Sequence, residues 1–350
     1  MLASKQLAII GKEIAKRMNL KFLWRLNAHI QLSPILESGE ETLIGGQAVM
    51  EGVMMRAPHS YCVAVRKGDG QIVTETAELA KVSDKYPIFK YPILRGLGTL
   101  GQAMSLGMKA LKFSADVQLA EEEAKSGKAV DATKKPTEMP KWAMAGQLIF
   151  SLLFFIVLYK FVPLWLTTML KDQYPILEGR ILFNLVDGLI RIAIFLAFLY
   201  GISRSKDIHR VFQYHGAEHK VVFNYESGKP VTVANSQSFV TFHPRCGTSF
   251  LIVVMLISMV LYMFLPFDTM TGKFLGRIAL LPLVAGLSYE LIRYAAKNKG
   301  SLLTVLAAPG LWLQRITTQS PDDTQTEIAI RALEGAMELE KSQGGQLVIA

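Results

Sequence analysis

Four long runs of this chain are nearly free of charge, and they constrain its fold more than any other feature. Residues 247–267 make 21 consecutive positions without Asp, Glu, Lys or Arg. Residues 142–170 are broken only by Lys160, 181–203 by Asp187 and Arg191, and 278–296 by Glu290 and Arg293 near one end. A helix needs about 20 apolar residues to cross roughly 30 Å of hydrocarbon, and the runs are close to that length. The sequence therefore predicts a polytopic α-helical membrane protein of about four transmembrane helices with a small cytosolic α+β portion.

Composition agrees. Of the 350 residues, 51% are hydrophobic and only 19% charged, against roughly 25% charged in ordinary soluble proteins. The combination argues against disorder and disfavours a purely soluble chain. The net charge of +9 is explained by where the cations fall. The segments 171–180 and 268–277 hold two Lys or Arg each, whereas 204–245 holds six. Positive residues are retained on the cytoplasmic side, so the expectation is a multi-pass protein of the cytoplasmic membrane with the N- and C-termini cytosolic. The lipid bilayer is the expected partner, with other membrane proteins as further partners. No nucleic acid is expected, because no motif or basic stripe interleaved with aromatics is present. Cys62 and Cys246 cannot form a disulfide framework, which suits a reducing compartment.

Seven segments follow from these boundaries. Residues 1–40 form a basic amphipathic segment, with a surface-lying helix expected over 2–30. Residues 41–118 hold a cytosolic hairpin (61–67 and 71–76 around Gly68-Asp69-Gly70) and an interfacial helix over 96–108. Residues 119–141 read as a charged linker, 142–203 as a first transmembrane hairpin, 204–246 as a cytosolic loop and 247–296 as a second hairpin. Residues 297–350 combine a re-entrant or interfacial element at 301–313, broken at Pro309-Gly310, with a C-terminal helix begun by Ser320-Pro321-Asp322-Asp323. A second strand pair is expected at 219–225 and 229–233, joining the first in one sheet.

The chemistry-bearing residues concentrate in the middle loop. Three of the six histidines and one of the two cysteines lie between 215 and 246: His215, His219, His243 and Cys246. On a helix His215 and His219 stand one turn apart on one face, which lets two imidazoles converge on one ion. Three nitrogens and a thiolate suit a divalent metal, Zn²⁺ first. Four ligands would make the site closed and structural; release of one would open it for catalysis. Glu218 completes H-x-x-E-H, the order of inverted zincins, in which the glutamate is the general base. A rival reading makes Cys246 a nucleophile with His243 as base. Asp187 and Arg191, spaced i, i+4, form an intramembrane pair, and Glu290 can pair with Arg293. In 44–56, Glu51 stands isolated among apolar residues as a further candidate acid.

The stretches GGQAVMEGVMMR (45–56), YHGAEHK (214–220), HPRCGTSF (243–250) and ITTQSPDD (316–323) together resemble the YqhQ-like family of bacterial integral membrane proteins, over about residues 43–335. The resemblance implies a shared site at His215, Glu218, His219, His243 and Cys246. It adds Glu51 and Arg56, and implies a metal-dependent enzyme without naming a substrate. The reading is a metal-dependent hydrolase acting on a lipid-linked or membrane-protein substrate; its alternatives are a metal-stapled scaffold or assembly factor without chemistry, and a transporter.

Overall fold

The computed structural model describes residues 44–80, 82–125, 141–243, 246–297 and 302–342. The expected N-terminal helix, and linker positions 126–140, lie outside these residues. Four strands open the described chain: β1 (Gly45–Val49), β2 (Gly52–Arg56), β3 (Ser60–Arg66) and β4 (Ile72–Glu78), an antiparallel meander in sequence order. The hairpin read around Gly68-Asp69-Gly70 is β3–β4, with Val63 opposite Glu75. Run 44–56 supplies a second hairpin, whose turn places Glu51 at φ +52°.

The sheet is buried on both faces, so its central strands read as apolar runs rather than alternating ones. Val53, Met55, Cys62 and Ala64 enter one core and Val49, Met54, Val63 and Val65 the other, the period-2 partition of a pleated strand. The second core is closed by Leu106 and Ala110 of α1 (Leu94–Lys125). That helix is 32 residues long, so the interfacial helix expected over 96–108 is only part of it. Its extension through 119–125 corrects the linker assignment there.

Two helical stretches are long and apolar enough to cross a membrane. One, Ile149–Gln173, comprises most of α2 (Lys141–Ile156), a π-turn at Val157–Phe161 and α3 (Val162–Gln173); the other is α4 (Arg180–Ser203). After α5 (Lys206–Glu226) and the short α6 (Val233–Gln237), the expected third span is α7 (Gly247–Tyr262). Its 16 residues cover about 24 Å, short of a full crossing. The fourth is a pair bent by 48°, α8 (Met270–Ala279) and α9 (Leu281–Lys297). Two spans, or three counting the bent pair, thus meet the criterion among the described residues.

Buried charge organises this helical part. Asp187 of α4 receives hydrogen bonds from Arg191, as expected, and from Arg277 of α8 at 2.7 Å. Arg277 also donates to Asn184, and Arg191 to Ser258 of α7. Both guanidiniums lie over the Tyr262 ring, whose hydroxyl accepts from Lys160 at 2.9 Å. The π-turn carries Lys160; such a turn inserts a residue and re-aims the side chains near it. Glu290 pairs with Arg95 of α1.

Two other expectations are corrected. Residues 219–225 belong to α5, so the middle loop contributes no strand among the described residues: Tyr214, Ala217, Val221 and Val222 are buried at helical spacing, and period 3.6 wins over a short apolar run. The stretch 301–313 is not broken at Pro309; α10 (Leu302–Thr317) continues through it and packs along α7. The last helix, α11 (Asp323–Ser342), covers the sheet with Ile328, Ala332, Leu333 and Met337. Its cap is Asp322 rather than Ser320. Asp322 Oδ1 accepts from Gln325 N at 2.8 Å while Gln325 Oε1 accepts from Asp322 N at 3.0 Å, the reciprocal arrangement of a capping box.

Candidate metal centre

Helix α5 sets His215 and His219 one turn apart, with ring centroids 4.5 Å from each other. Cys246 caps the N-terminus of α7 with extended backbone. Its Sγ lies 3.3 Å from His215 Nε2 and 3.1 Å from Thr248 Oγ1. One ligand atom from each of His215, His219 and Cys246 falls within 4.8 Å of the others.

Backbone carbonyls fix both rings. His215 Nδ1 is 2.8 Å from the Thr317 oxygen, and His219 Nδ1 bonds the Thr241 oxygen. A carbonyl can only accept, so both Nδ1 atoms carry the proton and both Nε2 lone pairs are left for the interior. Orientation of this kind is what metal-ligating histidines receive from their surroundings. Burial pushes the His219 imidazole below its ordinary pKa, with Cys246 acting in the opposite sense; the neutral ring is the ligating form.

Glu218 is buried beside this group, with Oε2 3.4 Å from His219 Nε2. Its place depends on Gly46 of β1: a Cβ there would stand 2.6 Å from Glu218 Cγ. Arg56 pairs across the strands with Gly45, the neighbour of Gly46. Gly216 does the same service on the other side, because a Cβ would run into the Gln319 carbonyl oxygen. The chain after α10 thereby lies against α5 and presents the Thr317 carbonyl to His215. Gly216→Ala is expected to destabilise the protein by about 1–3 kcal/mol, the range for overpacking. Chemical denaturation would measure it, and a loss below about 0.5 kcal/mol, within the range of neutral surface changes, would contradict the close approach.

His243 lies next to this group rather than in it. Its ring centroid is 5.6 Å from that of His219, and its Nε2 is 3.5 Å from Glu226 Oε2. Glu51 is held elsewhere on α5, by Arg210 and by the Tyr214 hydroxyl at 3.2 Å. That carboxylate raises the Arg210 pKa, while burial and then Glu51 raise that of Tyr214. Asp187 and Arg191 belong to the charge cluster of the helical part.

Sequence reasoning missed Gln314, which is fully buried on α10. Its amide accepts from His243 N and donates to His243 O, each at 2.7 Å, and reaches Ser249 Oγ at 3.2 Å. It clamps the His243 backbone against α10. The available signal was a single amide inside the apolar stretch 302–313 and its continuation; an uncharged polar residue there must find partners.

The four sequence stretches that carried the resemblance thus meet around one centre, through Gly46 to Glu218, His215 to Cys246 and Thr317, and Gly216 to Gln319. Comparison with known proteins agrees on their kinship. Residues 91–339 match the family described as "Protein of unknown function (DUF1385)". The chain is 33% identical over 306 residues to "Uncharacterized protein YqhQ" of Bacillus subtilis (strain 168), covering 85% of this chain and 92% of that relative. No solved structure matches. This protein accordingly belongs to the DUF1385 family and is YqhQ-like.

Proposed function

We propose that this chain is a metal-dependent hydrolase of the bacterial cytoplasmic membrane, acting at the cytosolic surface on a lipid-linked or membrane-protein substrate. The observation that carries the reading is the convergence of His215, His219 and Cys246 on one point with the Glu218 carboxylate beside it. Three protein ligands rather than four are the arrangement that leaves a coordination position open.

Zn²⁺ suits two imidazoles and a thiolate, and when bound supplies Lewis acidity that makes water a nucleophile near neutral pH. The chain's own residues do the rest. Thr317 and Thr241 hold the imidazoles in register, and the Thr248 hydroxyl lies against the Cys246 sulfur. Glu218 accepts the proton of the attacking water and returns it to the leaving group.

The membrane placement is supported by surface chemistry. Ile149, Phe150, Leu152 and Leu153 are all more than half exposed, a contiguous apolar surface that water does not tolerate at this size. With α2–α3, α4, α7 and the α8–α9 pair as four membrane elements, the cation-rich segment 204–245 faces the cytosol. Cys246 at the head of α7 then sits at headgroup depth.

Glu218→Gln tests the chemistry. The variant is expected to keep its metal and lose activity by about 100-fold or more, so that membranes of cells carrying it accumulate an uncleaved species detectable by mass spectrometry. Membranes indistinguishable from the parent's, with metal content intact, would remove the hydrolase and leave the metal-stapled scaffold.

A further inference from the structure

The end of α7 remote from Cys246 carries a different chemistry. Here the turn between α3 and α4 and the turn between α7 and α8 enclose a cleft of about 40 Å³. That is room for about three waters, or one tetrahedral oxyanion. Four cations line it, Lys171, Arg180, Lys273 and Arg277, against two carboxylates, Glu178 and Asp268. Arg180 and Asp268 are within 3.7 Å of each other and both exposed, a pair that contributes little.

The imbalance deepens inward. Arg277 is 1% exposed and Arg191 2%, and both depend on Asp187, with Lys160 close by on Tyr262. Excess buried positive charge is costly unless an anion offsets it. Arg277 lines the cleft and its Nε has no hydrogen-bond partner among the described residues. Two guanidinium and two ammonium groups around one small cleft are the kind of donor set that recognises phosphate oxygens.

We infer that this cleft binds a phosphate group, carried by a lipid headgroup or free in solution. Its lining also includes the apolar side chains of Leu265 and the exposed Phe267, which would flank a headgroup at the bilayer surface. The site shares no residue with the metal centre and stands whether or not the hydrolase reading does.

Calorimetry on the detergent-purified full chain tests it with three probes: inorganic phosphate, dihexanoylphosphatidylglycerol, and dihexanoylglycerol, which lacks the phosphate. Saturable binding of either phosphate-bearing probe is expected, with none by dihexanoylglycerol. Saturation by the lipid alone assigns the site to a headgroup, whereas saturation by inorganic phosphate assigns it to a free oxyanion as well. The double substitution Lys171→Gln/Lys273→Gln changes two partly exposed side chains and is expected to weaken binding about tenfold or more. Arg277→Lys keeps the charge and removes the fork, and is expected to weaken it similarly. Absence of saturation by both phosphate probes, equal binding of dihexanoylglycerol, or parent-like affinity in both variants would overturn the inference.

Discussion

Purified in detergent, the parent chain is expected to hold about one equivalent of Zn²⁺, and His219→Ala or Cys246→Ser less than about a tenth of that. Elemental analysis of the eluted protein is the measurement. The reason is geometric: each substitution leaves two of three donors, and two donors do not hold a zinc ion against detergent washing and buffer exchange. His243→Ala discriminates between the two coordination patterns. The histidine's Nε2 faces Glu226, so the three-ligand centre predicts that its loss leaves the metal in place. Equal loss of metal from His243→Ala would make the site four-coordinate and closed, and would favour a structural staple. A parent chain without stoichiometric metal would remove both readings.

Asp187→Asn is expected to destabilise the helical part by about 3–5 kcal/mol, the range for breaking a buried ion pair by removing one partner. Asp187 is fully buried, and it accepts from two guanidiniums. The amide keeps the shape and one acceptor but withdraws the carboxylate that pairs with both Arg191 and Arg277. Unfolding in mixed micelles, followed by circular dichroism, measures the change. Pairing it with Arg277→Met separates charge from packing: the double variant is expected to be more stable than Asp187→Asn alone, because one uncompensated charge leaves with the arginine. A single-variant loss below about 1 kcal/mol, the median of exposed pairs, would show that the cluster is solvated rather than buried.

Much of this was legible in the residues because it is written in local periodicity. The apolar runs that become α2–α3 and α4, the β3–β4 hairpin, and the His215–His219 spacing all depend on neighbours within one or two turns. What failed depends on partners far away. Residues 219–225 carry apolar positions that a short window assigns to a strand, and only their burial against α11 and the sheet settles the helix. Pro309 breaks a helix in isolation, whereas α10 continues through it beside α7. Arg277 reads in the sequence only as one of two cations in the cation-poor segment 268–277; its role as second partner of Asp187 is invisible without the approach of α8 to α4. Gln314 has a readable oddity, a lone amide in an apolar stretch, but its partner is 71 residues earlier.

The sheet has a consequence for the order in which the protein is made. Its first strands leave the ribosome long before the helix that covers them. His59 and Ser60 are satisfied by Glu340, about 280 positions later. Glu340 is 2% exposed and its carboxyl stays below the ordinary range, burial raising it but the His59 and Ser60 hydrogen bonds lowering it more. During synthesis one apolar face of the meander therefore waits uncovered while every intervening helix is placed. Non-local closure of this kind is slow and exposes aggregation-prone edges in the interim. The histidine–cysteine centre inherits the same timetable: the Thr317 carbonyl that orients His215 arrives only with the final tenth of the chain. Nascent protein released early has no assembled histidine–cysteine cluster.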